Sequence, residues 1–410
     1  MKFLVILFSL LLTAAATAQT NEQIRLKKGR WVATLQLNEK DQLPFELEVT
    51  KQEKSVEISV INGDESIQLD VPKVKNDSVY VRFPYFNSEL VFHINSKKSI
   101  TGYWQNFNKG DNYTIDFSAN FSKKGTRFEE PGSLNESINV DGRWKVAFEP
   151  GTTSEYPAVG IFEQEGLVSS GTFLTETGDY RYLAGNTFND SLFLSCFDGS
   201  HAFLFKAKLD NDQLNGQFFS GSHWKSNWTA KRNESFELTS PEDLTFIEDK
   251  QKVDFTLRDL SGDSISFPND QVEGKVVIIQ IMGTWCPNCL DETMYYKSLS
   301  EKYKNQGLEI VSVCYEASET FEDHVKSIER LKNKLGLDFT FLVGGSAQKS
   351  LASEHFDMLS AIISFPTSIF IGRDGMVKRI HTGFNGPGTG DYYTEYIENT
   401  NALIEFLLAE

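Results

Sequence analysis

A long stretch of this chain occurs twice, and a duplicated unit has to fold twice by the same rules. Gly29-Arg30-Trp31 returns as Gly142-Arg143-Trp144, an offset of 113 residues (from 31 to 144), and Asp77-Ser78-Val79 returns as Asp190-Ser191-Leu192 at the same offset. Ile100-Thr101-Gly102-Tyr103 answers Leu214-Asn215-Gly216-Gln217 at 114, and Asn112-Tyr113-Thr114 answers Asn227-Trp228-Thr229 at 115. An offset that drifts so little across a whole unit marks a duplicated domain and not a single recurring motif.

The unit reads as β structure. Short alternating segments rich in aromatics and Thr predict strands at Arg30–Leu37, Phe45–Thr50, Ser55–Ile61, Ser66–Val71, Ser78–Phe83, Glu89–Ile94, Ile100–Gln105 and Tyr113–Ala119. Asn62-Gly63 and Asn76-Asp77 punctuate two of the connections. Sequential strands with tight turns suit an up-and-down antiparallel barrel or a strongly curled sheet, which leaves few exposed edges. The expectation is therefore two all-β antiparallel barrel-like repeats, over 24–124 and 138–234. The opening Gly-x-Trp also resembles the start of lipocalin-like and avidin-like barrels, which implies a shape only. Such a barrel either holds a ligand or is filled by its own side chains and serves to space or dock the C-terminal part of the chain. His93, His201 and His223 do not fall at metal-ligand spacings and read as surface or core groups. Cys196, on the expected strand Ser191–Phe197, reads as a packing thiol. A stretch of mixed charge carrying Pro241 predicts a linker over 235–250.

Lys2, the apolar run Phe3–Leu12 and the small residues Ala16-Thr17-Ala18 have the layout of a cleavable secretory signal over 1–18. The run is too short to span a bilayer, which takes about 20 residues. The mature chain is then expected to begin near Gln19 and to work in the periplasm or another extracytoplasmic envelope space. Disulfides persist there, and a dithiol stays reduced only if electrons are supplied. At 410 residues the chain exceeds what one core supports, and a formal charge of −17 disfavours nucleic acid or anionic lipid as a general partner. Four cysteines are too few for a disulfide-stapled scaffold.

From Val253 the pattern changes to strands alternating with helices: a hairpin over 255–267, a buried strand Lys275–Met282, a helix Asp291–Tyr303, a strand Leu308–Tyr315 and a helix Phe321–Leu335. Strands Phe339–Val343, Ser368–Ile371 and Val377–His381, a short helix near Gln348–Phe356 and a closing helix Tyr392–Leu408 complete a mixed sheet covered on both faces. Between the first buried strand and the first helix stands Trp285-Cys286-Pro287-Asn288-Cys289. Two thiols at i and i+3 on a first helical turn can close a small disulfide ring and open it again. Half a zinc site has the same spacing, but Cys196 and Cys314 are poor candidates for the remaining ligands, so neither metal nor cofactor is expected. Unpaired N–H groups and the macrodipole favour an anion at Cys286, which makes it the nucleophile and Cys289 the resolving thiol. Pro287 suits a first turn because it has no N–H to lose.

Asp254-Phe255-Thr256-Leu257, Gly274-Lys275-Val276-Val277, Gly283-Thr284-Trp285-Cys286-Pro287-Asn288-Cys289, Phe365-Pro366-Thr367, Asp374-Gly375 and His381-Thr382-Gly383-Phe384 resemble the TlpA/ResA-like thiol-disulfide oxidoreductases of the thioredoxin fold. The likeness covers about 246–410. It implies an α/β thioredoxin-like domain, a cis bond at Pro366, and a substrate-binding face made of Trp285, Phe365, Pro366 and Thr367, with the backbone of Phe365 open to a substrate strand. It also implies an acid near the thiols at Glu292, where a buried carboxyl could move protons; as plain sequence Glu292 could equally be a solvated acid. Gln280 replaces the acid of thioredoxins proper, and Met294 stands where relatives often have proline. Cys314 reads as packing, His324 and His355 as surface groups, and His381 as structural. Gly383–Gly390 lacks the Lys-Ser/Thr of a phosphate loop.

The resemblance implies an extracytoplasmic reductase of disulfide-containing or thiol proteins, cytochrome c maturation thiols among them. A membrane thiol-disulfide electron donor would keep it reduced. A disulfide oxidase or isomerase, a thiol peroxidase, and a binding scaffold whose barrels carry the function remain as alternatives.

Overall fold

A computed structural model describes residues 24–52, 55–110, 112–123, 127–128, 137–247 and 252–410. The expected signal over 1–18 lies outside the described residues. No helix among them is long and apolar enough to cross a membrane.

The first repeat is one antiparallel sheet of nine strands: Gly29–Gln36, Gln42–Gln52, Ser55–Asn62, Glu65–Gln68, Lys73–Lys75, Ser78–Arg82, Ser88–Ser96, Ser99–Asn106 and Thr114–Phe121. Lys73–Lys75 is additional to the strands expected; at three residues it is too short for alternation to reveal. The sheet curls, but its edge strands Glu65–Gln68 and Lys73–Lys75 do not pair with each other. In the second repeat Tyr156–Glu165 pairs with both Gly142–Phe148 and Val168–Thr175, so all strands but the two-residue Gly178–Asp179 close into a barrel.

The repeats share local chemistry. Gly29 and Gly142 sit at φ +119° and +103°, where a side chain is disfavoured, and each launches the first strand of its unit. The Trp31 indole N–H donates to the Lys27 carbonyl at 3.0 Å, and that of Trp144 to Val140 at 2.9 Å, four residues upstream in both cases. The closed barrel is filled from within. Phe148, Phe173, Phe205, Phe218 and Trp228 pack on one another and on Tyr180, with ring centroids about 4.5–6.5 Å apart.

The open sheet of the first repeat is plugged by the second. Phe197 enters it between Phe45, Trp104 and Phe83, at 4.5, 5.1 and 5.4 Å. The Asn62 amide donates to the Phe197 carbonyl at 2.9 Å and accepts from its N–H at 3.1 Å, which aligns that strand end. Gly199, at φ +90°, lies so close to Phe83 that a Cβ would come within 2.2 Å of the ring.

The C-terminal region is a seven-stranded mixed sheet in the order Ser264–Phe267, Phe255–Asp259, Thr340–Ser346, Leu308–Glu316, Val276–Met282, Thr367–Ile371 and Val377–Thr382. The strands Val276–Met282, Leu308–Glu316 and Thr340–Ser346 run parallel, and the other pairings are antiparallel. Its helices are α1 (Pro287–Tyr303), α2 (Phe321–Leu335), α3 (Lys349–His355) and α4 (Asp391–Ala409). α1 starts four residues before the amphipathic pattern does, because its first turn is buried at Asn288, Cys289 and Leu290 and shows no polar face. His324 is buried, contrary to the surface reading, because it falls on the inner stripe of α2 with Ile328 and Leu331; its ring bonds the Ser318 carbonyl at 2.7 Å. His355 is half-buried against the Tyr315 hydroxyl, 2.9 Å away. The stretch expected as a linker lies against this sheet: Thr382 donates to the Pro241 carbonyl at 3.0 Å, and Ile247 bridges Leu359.

Candidate active site

The wholly buried strand Val276–Met282 delivers the chain into a tight turn before α1. Gly283 has no room for a side chain there: a Cβ would lie 2.3 Å from the Trp285 indole nitrogen and 2.7 Å from the Tyr315 carbonyl. Thr284 donates both its N–H (3.0 Å) and its hydroxyl (2.6 Å) to Glu316, while the Trp285 indole donates to the Tyr315 carbonyl at 2.9 Å. These bonds fix the residues that precede the thiols.

Cys286 is the N-cap of α1, and its sulfur accepts the Cys289 N–H at 3.4 Å. That donor is one of the N–H groups a helix start leaves unsatisfied, so the sulfur takes the place of a capping oxygen. Both thiols are free; Cys286 is 7% exposed and Cys289 0%. Burial, then the bond to Cys286, pushes the Cys289 thiol well above the ordinary cysteine range. Opposite them the Phe365–Pro366 bond is cis, and the Phe365 carbonyl lies 3.6 Å from the Cys286 sulfur. Phe365 stacks on Tyr315 at 5.4 Å and meets Trp285 edge-on at 6.3 Å. Thr367 is buried, its hydroxyl bound to the Ser364 carbonyl at 2.9 Å, so it braces this loop from behind.

Glu292, one turn beyond Cys289, is fully buried. Its carboxylate accepts from Gln280 (2.9 Å), Ser368 (2.9 Å), Tyr296 (3.1 Å) and Tyr396 (3.4 Å). Burial outweighs those donors and pushes its pKa up to about 7. Gln280 also reaches the Cys289 carbonyl at 3.4 Å, so the residue that replaces an acid ties Glu292 to the thiol turn. Glu316 is a second buried carboxyl raised to about 7, again by burial. Sequence reasoning missed it, although a charge directly after the apolar run Val313-Cys314-Tyr315 was a usable signal. Cys314 and Cys196 are buried within strands away from this pair, each raised first of all by burial. No cluster of His, Cys, Asp or Glu among the described residues is arranged to hold a metal ion.

The second barrel reaches this site. Asn288, between the two cysteines, donates to the Phe384 carbonyl (3.0 Å) and to the Asp179 carboxylate (3.2 Å). The Ser364 hydroxyl donates to the Thr177 carbonyl at 2.9 Å, and the Ser200 hydroxyl to the Trp285 carbonyl at 2.8 Å. Arg181, itself buried, pairs with Asp291 of α1, with Glu65 of the first repeat (2.5 Å) and with Asp198 (3.8 Å), so one guanidinium joins all three sheets. No sequence signal pointed to these partners, which stand about a hundred residues from the motif in the chain.

Residues 248–396 match the Redoxin family. The chain is 31% identical to the thiol-disulfide oxidoreductase ResA of Halalkalibacterium halodurans over 136 residues, 33% of this chain and 68% of that protein. It is 25% identical to the thioredoxin-like protein YneN of Bacillus subtilis over 36% of this chain and 79% of that one. Among solved structures, a thiol:disulfide interchange protein of the thioredoxin family from Chlorobium tepidum aligns with 40% of this chain and 99% of its own at 16% identity and a TM-score of 0.30.

Proposed function

The chain belongs to the ResA-like thiol-disulfide oxidoreductases, and from that premise we propose that it reduces protein disulfides in an extracytoplasmic space through the Cys286/Cys289 dithiol. The observation that carries the reading is the Cys286 sulfur capping α1 beneath the Phe365 carbonyl. As a thiolate it attacks one sulfur of the substrate, forms a mixed disulfide and releases the other sulfur as a thiolate. Cys289, one turn on, then attacks the Cys286 sulfur, closes the internal disulfide and releases the reduced substrate. Two electrons pass from the dithiol to the substrate. Cys289 has to lose a proton that burial makes it hold, and Glu292, with a pKa near neutrality and a place one turn away, is the group we assign to receive it. Trp285, Phe365 and Pro366 form the substrate face, and Thr367 supports it. The secretory-signal layout of residues 1–18 supports the location, and a membrane thiol-disulfide carrier would return electrons.

Equilibrating the purified chain in glutathione buffers tests the direction. A reductase has a potential near the thioredoxin value of about −270 mV, and a result near about −120 mV would make the protein an oxidant instead. Insulin reduction should vanish in Cys286→Ser, while Cys289→Ser should accumulate the mixed disulfide and so name the partner.

A further inference from the structure

The face that would receive a substrate chain already holds a peptide, and it comes from this chain. The hairpin tip at Glu176–Asp179 projects from the second barrel, its return strand Gly178–Asp179 pairing with Leu174 and Thr175. Its Thr177–Gly178 peptide lies against Gly383, where an added Cβ would meet Thr177 at 3.0 Å and the Gly178 nitrogen at 3.3 Å. The Gly383 N–H is itself bound to the Pro366 carbonyl at 2.8 Å, so the tip sits on the loop beside Cys286. The carbonyl of Thr177 accepts from the side-chain hydroxyl of Ser364, immediately before Phe365, so the backbone of the tip is held at the edge of the cis-proline loop.

The next residues fit equally closely. Gly178 sits at φ +137°, a conformation that side chains rarely adopt, and a Cβ there would come within 2.7 Å of the Asn288 amide nitrogen. The Asp179 carboxylate then accepts from Asn288 and from the Gly386 N–H at 2.6 Å.

We propose that the tip Glu176–Asp179 sets the substrate specificity of the redox site by occupying its strand-binding groove, so that the docked chain reduces small disulfides directly and protein disulfides only after the tip withdraws. The inference rests on the oxidoreductase reading and adds which substrates reach the sulfur. A small disulfide needs only a path to the Cys286 sulfur. A protein disulfide brings flanking backbone that would coincide with Thr177 and Gly178. In either case Cys286 bonds one substrate sulfur and expels the other, and Cys289 displaces the second, leaving the internal disulfide and two substrate thiols.

The test compares rates of reduced full-length chain with bis(2-hydroxyethyl) disulfide and with insulin. For the small disulfide the rate should rise linearly with concentration, whereas for insulin it should level off at the rate of tip opening. Removing the carboxylate that accepts two hydrogen bonds from the redox region, in Asp179→Ala, should shift docking about tenfold and raise the insulin-to-small-disulfide rate ratio to match. Gly178→Val, which forces a side chain onto Asn288, should move the ratio the same way. Wild-type insulin kinetics that stay linear with the small-disulfide slope, or a ratio unmoved by both variants, would overturn the proposal. If neither disulfide is reduced in a Cys286-dependent way, the oxidoreductase reading has failed and not this inference alone.

Discussion

The two repeats share a sequence period and differ in closure, and one position in the strand that completes the ring differs in kind. Gly185 lies in the strand Leu183–Phe188, which pairs with Val168–Thr175 on one side and Ser191–Phe197 on the other and so helps complete the ring. A Cβ there would come within 1.8 Å of the Phe193 carbonyl. The residue 113 positions earlier is Pro72, which has no N–H for a ladder and a ring where glycine leaves space. The matching strand shrinks to Lys73–Lys75 and the first sheet stays open. A closed barrel buries its own aromatic core; an open one needs a partner, and here it takes Phe197 from its twin. Duplication therefore yielded one self-sufficient unit and one that binds it.

The largest effect expected is at that plug. Phe197→Ala should cost about 3–5 kcal/mol and, although the residue belongs to the second repeat, should speed hydrogen exchange mainly in Gln42–Gln52 and Ser78–Arg82 of the first. Faster exchange confined to the second repeat would break the comparison. Exchange is the suitable measurement because a chain of three sheets need not unfold in one step.

Swapping the discriminating residues comes next. Gly185→Pro should destabilise the second barrel by about 3 kcal/mol or more, while Pro72→Gly should change the first by about 1 kcal/mol or less, since its strand end makes no closing ladder to lose. Equal effects on urea denaturation would mean that closure is decided elsewhere.

A pH series separates both barrels from the redox region. Glu292 titrates near 7 in the fold against an ordinary value of 4.5. Its neutral form therefore stabilises the fold fully below pH 4.5, and that contribution fades as pH rises through 7. Glu292→Gln should remove on the order of 2 kcal/mol of this pH-dependent loss, read as a flatter stability profile between pH 4.5 and about pH 7. Exchange in the strands of the second barrel should not follow it.

A final pair of variants tests where the repeats agree. Trp31→Phe and Trp144→Phe each remove one indole bond to a carbonyl four residues upstream, and each should cost about 1–2 kcal/mol. A large inequality would show that the shared opening motif plays different parts in the two units.

Much of this was legible in the chain. The repeat offset, the helix Phe321–Leu335, the strand Ser191–Phe197 and the thiol pair at a helix start all rest on local pattern, which sequence spacing records directly. His324 was misread because a polar residue on an apolar stripe finds its partner, the Ser318 carbonyl, only when the loop before the helix folds back.

The sequence alone determined that there are two like β units and a dithiol poised at a helix N-terminus, because periodicity and i, i+3 spacing are properties of neighbours along the chain. Tertiary structure alone decided that one unit closes and the other is plugged, that Glu292 and Glu316 are buried, and that Thr177, Gly178 and Asp179 lie on the redox face. Burial and contact between residues about a hundred positions apart depend on how sheets dock, and docking leaves no period to read.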